Sequence, residues 1–252
     1  MGLTQEQRIA LASARAFAQA SEAGGAVVLR VPQAPESPML NRVVGLGTGR
    51  RATEADVDEA LAALGPGLSF YVAVHPQARP PQLPDWLRAR GLEPGWGWMA
   101  FQRSVADPPA ARTALSLAEV RDEDGAAAVA RIVRIGFGLP EAVEAPLARA
   151  TAGGWRWWLA RDGDEPVGAG GLFVCENAGY LGFGATLPEH RGKGAQGALL
   201  AARIRRAAGL GCDVVFTETG ERRGDRPSNS YRNIRRAGFE EIAVTANWAG
   251  RR

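Results

Sequence analysis

The stretch that most restricts how this chain can fold runs from Ala185 to Leu200 and reads ATLPEHRGKGAQGALL. It describes the end of an extended segment, a basic glycine turn and the start of a helix. Gly192, Gly194 and Gly197 let the backbone crowd successive N–H groups onto one side, because glycine tolerates the backbone angles such a turn demands. The helix that follows adds the positive end of its dipole, so an anion belongs here, and phosphate is the natural one. Arg191 and Lys193 bracket the turn as donors of charge-assisted hydrogen bonds.

The same letters contain GKGAQG, which fits the dinucleotide fingerprint G-x-G-x-x-G and finds Glu218 at a suitable distance downstream, the pattern of a nicotinamide enzyme. A dinucleotide fold brings its first glycine directly off the strand, whereas here Pro188, Glu189, His190 and Arg191 intervene. Only about 35 residues follow Glu218, too few for the remaining strands of a doubly wound sheet.

Composition narrows the class further. With 46% hydrophobic and 23% charged residues in 252, the chain reads as an ordinary globular protein with a sizeable core. A formal charge of +3, scattered through helices and loops, gives no stripe for nucleic acid. No apolar run is long enough to span a membrane, and the N-terminal residues lack the zones of a signal peptide, so the expectation is a cytoplasmic protein without membrane or nucleic-acid partners. Cys175 and Cys212 sit in apolar runs and read as buried free thiols. With His75 and His190 the only histidines, no zinc ligand spacing is present and no metal is expected.

Taken in order, Thr4 with Gln7 forms a capping box for a first helix whose apolar spacing continues to Ala20, before Gly24-Gly25. Strands follow at 27–31 and 41–47, a helix capped by Thr53, a strand at 69–74, a short helix closed by Gly91 and a strand around GWGWMAF. ADPPAAR between Val105 and Thr113 reads as a linker. Beyond it come a strand at 114–120, helices at 122–135 and about 141–150, a three-strand meander at 155–160, 166–176 and 180–187, the glycine turn and its helix. A strand at 214–217, a charged loop at 220–227, a helix at 228–237 and a strand at 239–247 complete the chain.

Arg191-Gly192-Lys193-Gly194-Ala195-Gln196-Gly197 resembles the pyrophosphate loop of the GNAT (GCN5-related N-acetyltransferase) superfamily, whose core is Gln/Arg-x-x-Gly-x-Gly/Ala. Gln196 departs from that pattern. The element order from 114 to 247 and the closing Ala237-Gly238-Phe239 carry the same resemblance. It implies an α/β (α+β) GNAT fold, a central mixed, mostly antiparallel sheet flanked by helices. The first half ends in a strand, a helix with Arg90-Gly91-Leu92 and a strand. It echoes the second as a degenerate GNAT-like repeat without a cofactor loop, giving domains at 1–105 and 113–252.

The resemblance further implies acetyl-CoA as co-substrate and a primary amine as acceptor. Ala185, Thr186 and Leu187 match the strand end that holds pantetheine, and Arg191, Gly192, Lys193, Gly194, Ala195, Gln196 and Gly197 match the pyrophosphate cradle. Glu218 is a candidate to take the amine proton. The family's tyrosine acid falls at Ile234, which leaves Tyr231, one turn earlier, as its stand-in. The motif asparagine falls at Pro227, with Asn229 as near neighbour. Trp155, Trp157 and Trp158 fit either an acceptor pocket or core. Antibiotic, polyamine, amino acid and protein N-terminus all remain open as acceptors. The missing tyrosine also motivates an alternative, a non-catalytic acyl-CoA-binding or sensing module.

Overall fold

A computed structural model describes residues 4–150, 153–222, 224 and 228–252. The chain forms two compact units, Met1–Ala100 with Ala243–Arg252, and Phe101–Ile242. The sequential division at 105 and 113 is therefore corrected, since the last ten residues belong to the first unit.

In the first unit Thr4 and Gln7 close the expected capping box of α1 (Gln5–Ala14). The helix stops short of Ala20, because Gln19–Ala23 forms a strand, β1, instead. It turns through Gly24 and Gly25, both at positive φ, to pair antiparallel with β2 (Ala26–Arg30). The apolar spacing that suggested a longer helix is used differently: Phe17 and Ala18 leave the helix but still pack against the cluster that holds Leu11, Ala14, Val27 and Leu29. Next come β3 (Arg42–Val44), α2 (Glu54–Leu64) and β4 (Ser69–Val74). β3 and β4 run parallel, so this is a strand-helix-strand crossover. α3 (Leu83–Ala89) and the two-residue β5 (Glu93–Pro94) follow.

The second unit begins within β6 (Trp98–Ser104) and continues with β7 (Ser116–Glu119), α4 (Glu123–Phe137), α5 (Glu144–Arg149), β8 (Trp155–Asp162), β9 (Glu165–Cys175), β10 (Ala178–Thr186), α6 (Ala195–Gly209), β11 (Val214–Gly220) and α7 (Asn229–Arg236). Its strands lie in the order β6, β11, β10, β9, β8, β7. β7 to β10 form an antiparallel meander, while β10 and β11 are parallel. Asp122 caps α4 and Gly138 ends it in the left-handed conformation, and Val129, Ile132 and Val133 are buried along one side.

Glycines shape this sheet for aromatic rings. A Cβ on Gly171 or Gly182 would come within 2.6 Å of the Trp155 ring. Trp155 and Trp157, each 1% exposed, stack in that space with centroids 5.0 Å apart. With Trp158 also buried, the three tryptophans are core rather than pocket.

The parallel pair opens like a V. β10 and β11 pair only from Ala178↔Val214 to Tyr180↔Phe216, and Thr217 Oγ1 donates to Leu181 O at 2.7 Å. Beyond this point β10 bulges between Gly182 and Ala185, with Phe183 at φ 55, and the strands part.

The last strand, β12 (Glu240–Arg251), outruns the expected end at Asn247. Ala246–Arg251 pair antiparallel with β4, Trp248 and Ala249 also meet β5, and Trp248 enters the first unit's core. This non-local pairing is what draws the C-terminus into the first unit.

Candidate active site

The site grows from the end of β10. A 3-10 turn, Pro188–His190, leads to Arg191, and Gly192 and Gly194 follow with φ 85 and 84. Gly194 serves as the N-cap of α6 with no side-chain cap, and no acid occupies the first turn. The backbone N–H groups of Gly192, Lys193, Gly194, Ala195, Gln196 and Gly197 donate to no acceptor among the described residues; the first bonds nearby run from Arg191 N to Pro188 O and from Ala198 N to Gly194 O. Six amides at or before the positive end of a 15-residue helix are thus left for a ligand to satisfy.

They open on a cleft of about 670 Å³. Of the residues read from the sequence, Ala185, Thr186, Arg191, Gly192, Gly194, Ala195, Gln196, Gly197 and Asn229 line it. Sequence reasoning missed His190 and the wall from α7: Ser230, Arg232, Asn233 and Arg236. That wall was readable as the polar stripe of NSYRNIRR, opposite the buried Tyr231 and Ile234. Among the described residues the lining carries three arginines and no carboxylate, so its field favours a polyanion.

Gln196, where the family pattern has a smaller residue, ties helix to strand. Its Nε2 donates to Ala185 O at 2.8 Å and Thr186 Oγ1 at 2.9 Å. Leu187 N donates to Val167 O at 2.9 Å, and its side chain is buried, so its amide is already used within the sheet. Antiparallel pairing alternates with period two, so Thr186, opposite Gly168, turns its N–H away from β9 and into the V. Of the three strand-end residues, Thr186 is the one positioned to donate into the cleft.

Beneath the bulge lies Arg203 of α6, 2% exposed. Its guanidinium donates to Gly171 O at 3.0 Å, Gly182 O at 3.2 Å and Leu199 O at 3.0 Å, clasping β9 and β10 where the bulge begins. Burial pulls its pKa down to about 9, which leaves it charged at neutral pH.

Other expected residues lie elsewhere. Lys193 does not line the cleft: its ammonium is 2.5 Å from Asp162 Oδ2, and this hydrogen bond, then its charge, is the main reason that carboxyl titrates below its ordinary range. Its carbonyl accepts from Thr113 Oγ1, which pins the turn. Tyr231 is not brought to the cleft. It is 7% exposed and meets Phe101 edge to face at 5.1 Å, because this is the apolar side of α7. Burial first, and then a hydrogen bond to Glu241, raises its pKa, so its proton is held more tightly than in free tyrosine. Glu218 does not line the cleft; it lies on β11 two residues beyond Phe216, the last paired with β10, and accepts from Tyr180 Oη at 3.0 Å. Pro227 falls outside the described residues. No group of three His, Cys, Asp or Glu residues suited to a metal occurs among the described residues.

The corresponding turn of the first unit, between β3 and α2, is closed by its own side chains. Asp56 accepts from Thr53 N at 2.7 Å and from both arms of Arg50, and Thr53 Oγ1 accepts from Asp56 N. Ala52 N donates to Arg79 O and Arg79 N to Gly47 O. The Asp56 carboxylate thus already takes the N-cap amide and the guanidinium of this turn.

Residues 125–226 match the Acetyltransferase (GNAT) family. No curated protein matches the chain in sequence. Among solved structures, a GCN5-related N-acetyltransferase from Kribbella flavida is similar with a TM-score of 0.68 at 19% identity, over 98% of this chain and 96% of that one. A GCN5-related N-acetyltransferase from Sphaerobacter thermophilus gives 0.62 at 16% identity, over 75% of this chain and 62% of that one. A tandem GNAT protein from the clavulanic acid biosynthesis pathway gives 0.58 at 17% identity, over 91% and 80%. These likenesses concern the fold, and the two strand-helix-strand crossovers of this chain fit a tandem arrangement. Residues 125–226 are thus similar to the GNAT acetyltransferases, and the glycine loop at the mouth of the V lies within the matched stretch.

Proposed function

We propose that the second unit transfers an acetyl group from acetyl-CoA to a primary amine by direct attack in a ternary complex. The observation that carries this reading is the run of amides from Gly192 to Gly197 without an acceptor among the described residues, at an arginine-lined cleft that all of these residues but Lys193 line. A diphosphate fits such a cradle through N–H donation and the helix dipole together. Arg191, Arg232 and Arg236 supply further positive charge along the same cleft. Thr186 N–H faces the V at the strand end, where it can polarise the thioester oxygen.

Holding donor and amine side by side makes the transfer effectively unimolecular. Glu218, on β11, takes the ammonium proton, directly or through water. The nitrogen lone pair attacks the carbonyl carbon, the C–N bond forms and the C–S bond breaks. The sulfur leaves with the bonding electrons. With an ordinary thiol pKa near 8.5, coenzyme A can depart as thiolate without a strong acid beside it.

A second reading has its own support. Ile234 and Tyr231 both point into the core, so α7 sends no tyrosine hydroxyl into the cleft. An acyl-CoA-binding module without turnover needs none. Calorimetry with acetyl-CoA, followed by thiol release across an amine panel, separates the readings. Saturable binding with release for at least one amine is expected. Binding without release for any amine favours the sensing module, and no binding removes both.

A further inference from the structure

Two residues that line the cleft each have a phenylalanine as chain neighbour. Gly136 precedes Phe137 at the end of α4, and Gly184 follows Phe183 in the bulge of β10. The two rings meet edge to face with centroids 6.3 Å apart. Phe137 is 37% exposed, one of three large apolar side chains so displayed among the described residues. Phe183 is held at φ 55, a region that bulky side chains rarely occupy and that persists where surrounding structure enforces it.

Aromatic packing continues inward from this pair into the core. Phe183 closes on Trp155 at 5.2 Å and on Trp157 at 5.7 Å. Trp155 in turn meets the Tyr180 ring at 6.2 Å, and Tyr180 Oη donates to Glu218 Oε1. Tyr180 pairs with Phe216, so Glu218, two residues further along β11, lies where the strands begin to part. The Phe137–Phe183 pair, beside Gly136 and Gly184 of the cleft, thus rests on the buried Trp155, and the same packed set of rings reaches Tyr180, whose hydroxyl holds the Glu218 carboxylate.

Resting on the donor assignment above, we propose that the acceptor is a primary amine carried on an aromatic group, its ring on the Phe137–Phe183 pair and its nitrogen turned toward Glu218. An aromatic skeleton buries itself against these ring faces and edges, while the ammonium meets the carboxylate and the Tyr180 ring. A polyamine or an aminoglycoside would lay additional ammonium groups on apolar rings, where unpaired charge is unfavourable. In the reaction the ammonium gives one proton to Glu218 and the freed lone pair attacks the acetyl carbon. Coenzyme A leaves as thiolate, and the sulfur finally takes up the proton shed by the nitrogen.

The test uses the full chain with acetyl-CoA and measures thiol release for 2-phenylethylamine, tryptamine, spermidine, an aminoglycoside and alanine, with acetyl-CoA affinity measured separately by calorimetry. The expected result is a kcat/KM for the two aromatic amines at least tenfold above the others. Phe137→Ala, on an exposed helix end, should lower that value about tenfold through KM, leave acetyl-CoA affinity within twofold, and spare the non-aromatic amines. Phe183→Gly, which relieves the backbone while removing the ring, should do the same. Preference for spermidine, the aminoglycoside or alanine overturns the inference, as do equal effects of Phe137→Ala on every amine or no turnover of any amine. Each of those results with acetyl-CoA still bound leaves the donor site standing; failure of acetyl-CoA to bind removes both.

Discussion

At the residue scale the cradle can be probed through Gly197. It is the third residue of α6, it lines the cleft, its φ is not in the left-handed region, and a Cβ built there meets nothing within 4 Å. Replacing it with glutamate removes a helical glycine, worth about 1 kcal/mol, and places a negative charge at a helix start, worth about 0.3–1 kcal/mol. The same carboxylate confronts any phosphate on the amides. We expect Gly197→Glu to melt at or above the wild-type temperature while losing acetyl-CoA affinity by at least about 100-fold, near 2.7 kcal/mol. Gly197→Ala, tested beside it by calorimetry and thermal melting, should keep most of the affinity. Gly194 makes a poorer probe, because its φ is 84 and a Cβ would stand 2.6 Å from Arg112 O, so any side chain there disturbs the turn itself. Unchanged affinity in Gly197→Glu would take the amides out of the site.

At the scale of elements, the starts of α2 and α6 differ in what their N-terminal groups meet. In α2 the anion is built in. Asp56 is nearly buried, bonded by Arg50 and by Thr53, and its carboxyl is held well below the usual carboxylate range, with Arg50 the leading cause. A group whose folded pKa is depressed contributes stability that is complete above its unfolded value near 3.9 and is lost as pH falls further. We expect the first unit to weaken below about pH 4 and Asp56→Asn to flatten that acid limb, followed by urea melts monitored in the first unit. An acid limb of the same size in Asp56→Asn would show that other carboxylates govern it. The same comparison shows what the sequence made legible. The turn at Gly192–Gly197 could be read because its glycines, its basic neighbours and the amphipathic helix after it are all local signals. The orientation of α7 could not, because Tyr231 is turned inward by Phe101, 130 residues earlier in the chain. Local spacing likewise carried α1 to Ala20, where a hairpin over Gly24 and Gly25 takes precedence. Thr186 could be separated from Leu187 only by the β9 register, which no single segment encodes.

At the scale of the whole molecule, the first unit is not finished until the last residues of the chain are in place. Ala246–Arg251 supply a full antiparallel partner to β4, Arg252 exchanges two backbone bonds with Leu68, and Trp248 lies 6% exposed in the core with the Arg88 guanidinium over its ring. Deleting a buried tryptophan side chain alone costs about 3–5 kcal/mol, against a whole-domain stability of about 5–15 kcal/mol. Removing residues 243–252 also strips β4 of its antiparallel neighbour along its entire length and leaves it only β3. We therefore expect the truncated chain to lose amide-exchange protection across 69–74 and the strands beside it, read by hydrogen exchange with mass spectrometry, while Trp248→Ala produces a smaller loss in the same peptides. Protection of β4 that survives the truncation would mean that the first unit closes without its C-terminal strand. Since these contacts join residues about two thirds of the 252-residue chain apart, loop closure must precede their reward, and the first unit should gain its protection only after residues 243–252 are available to fold.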